Sequence, residues 1–232
     1  MPKNWRIFAE IITLNMKVIN LGEKSSSLNS FVAQLRDKDL QKDSLRFRTN
    51  LERLGQIFGY EISKTLNCKE RDVVTPLGTA HLSVPDEQVV VATIMRAGLP
   101  LHEGVLSCFD SAENAFVAAY RKYDNEGEFH IHTEYCTCPD LTGKTVILAD
   151  TMLATGSSVE VAYEVLLKEG GQFAKLHLVC PFASAQAVEY LKKKMPENAV
   201  LWVAAIDPEL TSHSYIVPGL GDAGDLCYGP KL

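Results

Sequence analysis

The chain has 232 residues, 46% of them hydrophobic and 22% charged, the make-up of an ordinary globular protein with one well-buried α/β domain or two small ones. Its net charge of −6 argues against non-specific nucleic-acid binding, which draws most of its affinity from Lys and Arg on phosphates, but leaves room for an anionic small substrate at a local basic cluster. No stretch approaches the ~18 consecutive apolar residues of a membrane span.

The opening "MPKNWRIFAEIITLNMKVINLG" has a basic start, but Glu10 and Asn15 interrupt its apolar run and no small-residue cleavage site comes after it, so it does not read as a signal peptide. Met16 begins a stretch that looks like a start of its own. Residues 1–15 are therefore expected to be an N-terminal extension, and 16–232 a single domain. The six cysteines, Cys68, Cys108, Cys136, Cys138, Cys180 and Cys227, match neither disulfide-scaffold nor zinc spacing. Cys136-x-Cys138 is one residue short of CxxC. Reduced cysteines in a cytoplasmic protein are the expectation.

Residues 28–66 read as helical, with Leu45, Phe47, Leu51, Leu54, Ile57, Phe58 and Ile62 recurring every third or fourth position. From Val89 the texture changes to β-branched apolar runs of the kind that form strands covered on both faces: "VVVATI" (89–94), "AFVAAY" (115–120), "TVILAD" (145–150), "LHLVCPF" (176–182) and "LWVAAID" (201–207). Helical patterns over 99–107, 157–169 and 184–194 alternate with them. This predicts an α/β fold, a mainly parallel twisted sheet flanked by helices, with an N-terminal helical segment. Ligands on such sheets bind beyond the carboxyl ends of the strands. Residues 123–143 form a polar excursion too long for a simple connection and are expected to be a mobile arm, hairpin or lid. His130 and His132 alternate on one strand face there and could bind a metal, although a solvated hairpin is the simpler reading. Glu103 reads as a surface charge.

"VILADTMLATGSS" (146–158) places Asp150 at the carboxyl end of a strand and sets Thr155, Gly156, Ser157 and Ser158 after it at the start of a helix. Hydroxyls and free N–H groups at a helix amino terminus make an anion site, and Gly156 lets the backbone approach a phosphate closely. A Walker loop would need a lysine and a dinucleotide loop three spaced glycines, and neither is present. A βα turn with a good N-cap would look similar. Asp150 adds an acceptor for vicinal hydroxyls, so the stretch suits a phosphorylated sugar. Arg96 and Arg121 also end strands, and their planar forks suit paired phosphate oxygens.

Asp150 with "MLATGSS" resembles the phosphoribosyl pyrophosphate (PRPP) loop of type I phosphoribosyltransferases. "IMRAGLPLHEGVL" (94–106), "AYRK" (119–122) and above all "DPELTSHSYIVPGLGDAGDLCYG" (207–229) narrow the resemblance to the uracil phosphoribosyltransferase family, from about residue 28 to the C-terminus. It implies transfer of the phosphoribosyl group of PRPP to uracil, giving UMP and pyrophosphate. PRPP would be contacted by Arg96, Arg121, Asp150, Thr151, Met152, Leu153, Ala154, Thr155, Gly156, Ser157, Ser158 and Asp222. Asp150, Arg96 and Asp222 would carry the chemistry, with Asp222 as the candidate Mg2+ ligand. Residues 207–232 would form a base-binding hood with uracil against Ile216, Gly221, Asp222 and Ala223. Pro218 and three glycines within 218–224 suggest that this stretch is neither helix nor strand, its bent backbone free to match the acceptor–donor–acceptor edge of a pyrimidine. A homodimer or larger homo-oligomer and GTP as an activator are carried over with the family; nucleic acid and membrane are not expected partners.

Three departures bear on the reading. Thr151 stands where the family loop usually has proline. Ser157 stands where it has a second glycine, and a Cβ there would strain any positive φ or crowd the phosphate unless its hydroxyl became a ligand. The segment "IHTEYCTCP" also lacks the lysine common in the family's lid. A non-catalytic nucleotide-sensing or regulatory paralogue is therefore the alternative. A relative acting on another base would usually carry a second acid after Asp150, where Thr151 stands.

Overall fold

The structure, a computed structural model, describes the backbone of residues 16–123 and 129–230 and their side chains apart from those of 119–133. In chain order the elements are β1 (Lys17–Asn20), α1 (Ser27–Arg36), α2 (Ser44–Ser63), β2 (Cys68–Thr75), β3 (Gly78–Pro85), β4 (Val89–Ile94), α3 (Gly98–Leu106), β5 (Glu113–Tyr123), β6 (Phe129–Thr137), β7 (Thr145–Ala149), β8 (Met152–Leu153), α4 (Ser157–Gly170), β9 (Lys175–Val179), β10 (Phe182–Ser184), α5 (Ala185–Lys194), β11 (Val200–Val203), β12 (Ala205–Asp207), β13 (Glu209–Leu210), β14 (Ile216–Val217) and α6 (Ala223–Tyr228). A seven-stranded sheet runs β1-β11-β9-β7-β4-β5-β6. All its pairs are parallel except β5–β6.

Side chains of a strand alternate between faces, and the two halves of the core obey that alternation. Val90, Ala92 and Ile94 of β4 and Val146 and Leu148 of β7 pack with α4 and α5, through residues such as Val159, Ala162, Leu166 and Leu191. Val89 and Val91 of β4 and Ile147 and Ala149 of β7 turn the other way. They meet Leu51, Leu54 and Phe58 of α2, Leu101 and Val105 of α3, and Ala223 and Cys227 of α6. Both faces are covered, so the central strands β4 and β7 are buried along their whole length and are apolar but for Thr93 and Thr145. Leu148 is 1% exposed at the middle of this sheet. Leu148→Ala should lose about 2–5 kcal/mol of stability with an unchanged denaturant slope, checked by urea unfolding.

Several sequence expectations need correction. The helical stretch 28–66 is two helices, because Asp37 and Asp43 turn their side chains onto the backbone. Asp37 Oδ1 accepts from the N–H of Asp39 (2.9 Å) and Leu40 (3.0 Å), and Asp43 caps α2 by accepting from Arg46 N–H (3.1 Å). Aspartate in these roles offers the backbone an alternative to helix. The run 176–182 breaks at Cys180–Pro181 and the run 201–207 at Ala204. Pro181 has no N–H to give a ladder, while its carbonyl accepts from both Ala204 and Ala205 (2.9 Å each). Beyond each break the chain joins a second parallel sheet, β12-β10-β8. The stretch 214–229, expected to be neither helix nor strand, does contain regular structure: β14 pairs with β13, and α6 comes after it.

The edge strand β1 and the exposed hairpin β2–β3 had no counterpart in the sequence reading. The excursion after β5 pairs back on it as the antiparallel strand β6. The side chains of His130 and His132 lie outside the described residues, as do residues 1–15. Glu103 is exposed and all six cysteines are free.

Candidate active site

β7 and β4 end side by side at the carboxyl edge of the sheet, and both lead straight into the site. Asp150 comes directly after β7, its N–H still donating to Val179 O (3.0 Å) as if the strand continued. The carboxylate then turns back: Oδ1 accepts from Thr151 N–H at 2.7 Å. Asp150 is partly covered at the surface, and protein atoms crowd its carboxyl closely enough that lost solvation pushes its pKa from the ordinary 3.8 to about 6, the N–H groups of Thr151 and Met152 pulling weakly the other way.

The chain next passes through β8, which pairs with β10 of the small sheet. Ser184 at the end of β10 donates its hydroxyl to Ala154 O (2.6 Å) and accepts from Ala187 N–H (2.9 Å), tying the loop to the start of α5. Gly156 then occupies the N-cap of α4 with φ 87°, so no side chain caps this helix. Its carbonyl accepts from Glu160 N–H at 3.1 Å. Apart from Ser157 N–H, which donates to Thr155 Oγ1 at 3.4 Å, the first-turn N–H groups of α4 have no side-chain cap and can face an anion. Thr155 Oγ1 and Ser157 Oγ lie 2.7 Å apart beside it.

The strain expected at Ser157 does not arise. The positive φ falls on Gly156, Ser157 is the first helical residue, and Ser214 is the sole positive-φ residue other than glycine among the described residues. Thr151 is fully buried, and its hydroxyl has no hydrogen-bond partner among the described residues.

Arg96 lies just beyond β4 and reaches across to the C-terminal stretch, with Nη2 3.1 Å from Asp225 Oδ1 and Nη1 3.4 Å from Gly229 O. Asp222 caps α6 by accepting from Asp225 N–H at 3.0 Å. A cleft of about 330 Å³ joins these parts: Arg96, Asp150, Thr151, Met152, Ala154, Ser158, Gly221, Asp222 and Ala223 line it, together with Ile94, Met95, Ala97, Ser214, Tyr215 and Gly224. Residues from three separate stretches of sequence thus meet at one opening.

Of the other expected site residues, Leu153 and Ile216 are buried, and Thr155, Gly156 and Ser157 sit at the α4 terminus; none of the five lines the cleft. Met152, expected among the PRPP contacts, is partly exposed and lines the cleft. Arg121 lies on β5 opposite Ile131, but its side chain is outside the described residues. Ser214 and Tyr215, which line the cleft, and Asp225, which pairs with Arg96, were not among the expected site residues, although all three lie inside the quoted stretch 207–229. Among the described residues no group of three or more His, Cys, Asp and Glu side chains converges as a metal site. No helix among them is long and apolar enough to cross a membrane.

A mainly parallel sheet flanked by helices, with Asp150 after a central strand and the C-terminal stretch facing it across one cleft, marks an α/β protein of the phosphoribosyltransferase type. The family model described as uracil phosphoribosyltransferase matches residues 23–230, and the chain belongs to that family. A uracil phosphoribosyltransferase of Porphyromonas gingivalis is 55% identical over 217 residues, covering 94% of this chain and all of that one. One of Pyrococcus furiosus is 39% identical over 213 residues, covering 90% of this chain and 89% of the relative. Among solved structures, the AQ2163 protein from Aquifex aeolicus superposes with a TM-score of 0.79 at 30% identity, covering 93% of this chain and 99% of that one.

Proposed function

We propose that this chain transfers the phosphoribosyl group of PRPP to uracil, releasing pyrophosphate and UMP, within the cleft between the Asp150 loop and the C-terminal hood. The observation that carries the reading is the shared lining: Asp150, Arg96 and Gly221–Ala223 face one opening. In this assignment the α4 terminus with Thr155, Ser157 and Ser158 takes the 5′-phosphate, converting remote binding energy into placement of the reacting carbon. Asp150 accepts the ribose hydroxyls. The bond from ribose C1 to pyrophosphate breaks, a bond to the uracil nitrogen forms, and the proton of that nitrogen passes to Asp222 or to water. Arg96, with Arg121, stabilises the charge gathering on the leaving pyrophosphate. The backbone of Gly221–Ala223 reads the edge of the base.

Mg2+ commonly relies on one or two carboxylates completed by water and substrate phosphates, which fits a cleft that offers Asp222 and Asp150 but no closed donor set. Asp222 is the residue assigned to it, and the ion when bound would neutralise diphosphate charge. Ser157, the departure that opened the alternative of a non-catalytic paralogue, leaves the loop backbone unstrained, so the catalytic reading is preferred. A homo-oligomer and GTP activation rest on the family alone.

The test is formation of UMP from labelled uracil with PRPP and Mg2+, beside Asp222→Ala, with cytosine and hypoxanthine competing. Turnover of uracil only, reduced at least ~100-fold in the variant, is expected. Turnover of another base, or none alongside clear PRPP binding, would overturn the assignment.

A further inference from the structure

The hood is held by a clamp built from residues far away in sequence. Arg36, the last residue of α1, meets Asp207, the last of β12, as a two-pronged pair: Nη2 to Oδ1 at 2.8 Å and Nη1 to Oδ2 at 2.9 Å. The same Nη1 donates to Gly219 O at 3.0 Å, and Gly219 N–H donates to Asp207 Oδ2 at 3.1 Å. Both polar groups of the Gly219 backbone are thus engaged by one ion pair. The guanidinium also lies 5.0 Å from the ring centre of Phe182. The pair is well covered, with side-chain exposures of 21% for Arg36 and 7% for Asp207.

Gly219 is the tight point of the hood. Its φ is +53°, and a Cβ there would stand 2.1 Å from Ile216 O. Leu220 comes next and is buried, and Gly221 begins the backbone that faces the cleft. A rigid bond to Gly219 therefore sets the direction in which Gly221, Asp222 and Ala223 leave the core. An arginine fork with a carboxylate fixes orientation as well as distance, which a single lysine contact would not.

We propose that Arg36 and Asp207 are positioning residues for base recognition: without touching substrate, they hold the Gly219–Ala223 backbone in register with the base edge. This rests on the reading of Gly221–Ala223 as the base site. Arg36 donates its hydrogen bonds to the hood and to Asp207, and it touches the strand beside the Asp150 loop only through the Phe182 ring, so its loss should act chiefly on the uracil side of the reaction.

Steady-state kinetics with each substrate varied in turn test this on the full-length chain. Arg36→Met should raise KM for uracil about tenfold or more and leave KM for PRPP within about twofold, with kcat at saturating uracil largely kept, because small misplacements of a binding group cost on the order of tenfold to a hundredfold. Arg36→Lys keeps the charge, loses the fork, guards against a variant that fails to fold, and should fall between. Asp207→Asn should repeat the uracil effect. The Arg36→Met/Asp207→Asn double variant should cost less than the two single effects multiplied, since both act through one network. Equal rises in both KM values, an unchanged uracil KM in folded variants, or multiplicative effects would overturn the inference while leaving the base assignment standing. Absence of UMP formation by the wild-type chain would overturn both.

Discussion

Gly156→Val should abolish useful PRPP binding, raising KM for PRPP by about 100-fold or more, while the protein still folds. Gly156 carries φ +87°, a conformation in which a β-branched residue is a strained outlier costing on the order of 1–3 kcal/mol. Space is lacking as well: a Cβ would lie 2.9 Å from Tyr190 Cδ1 and 3.4 Å from Leu191 Cδ2. Tyr190 cannot swing away freely, because its hydroxyl is bonded to the Glu160 carboxylate, which Lys194 Nζ also meets at 3.0 Å. Relief must therefore come from the loop backbone, the part that would cradle phosphate. Gly143→Ala is the matched control, with φ +73° and nothing within 4 Å of a new Cβ. It carries the milder left-handed strain of an unbranched residue without the crowding, and should keep PRPP affinity. Calorimetric titration with PRPP decides the matter, and Gly156→Val binding as tightly as wild type would remove the loop from the phosphate site.

Asp150→Asn should lower kcat/KM at pH 8 by about 100-fold and erase the acid limb of the pH profile. In the wild type the carboxyl titrates near pH 6, because burial opposes its charge. As an acceptor for ribose hydroxyls it works ionised, so activity should fall about tenfold per pH unit below that point. Stability moves the opposite way. The native carboxyl holds its proton more tightly than the unfolded one, whose pKa is near 3.8. Between about pH 4 and pH 6 the native state thus binds more protons, and this group's contribution to stability, full below pH 4, is lost as pH rises through 6. Asn carries no charge to bury, so the variant should be at least as stable as wild type at pH 8. A variant that is inactive yet equally stable assigns Asp150 to chemistry; one that melts early assigns it to folding.

Much of the site could be read before any fold was known, for reasons local to the chain. β-branched runs bounded by polar turns announce buried strands, and an acid with hydroxyls and a glycine after it announces a strand handing over to an open helix terminus. The expected helices 99–107, 157–169 and 184–194 match α3, α4 and α5 to within a residue or so at each end. The breaks were harder. Pro181 divides one apolar run and Ala204 another, and nothing in their hydrophobicity separates the halves that enter the main sheet from those that form β10 and β12. The hairpin β2–β3 was invisible for a different reason: most of its residues are exposed on both faces, so no period of two appears.

The α/β class, the Asp150 loop and the family were all legible in the chain alone, because each depends on residues within a few positions of one another. Three features needed the folded molecule: that Ser157 escapes the left-handed position, that Arg96 faces Asp225, and that Arg36 holds the hood through Asp207. The two pairings span 129 and 171 residues, and a side chain's partner at such a distance is chosen by which ends of which strands the packed sheet brings together.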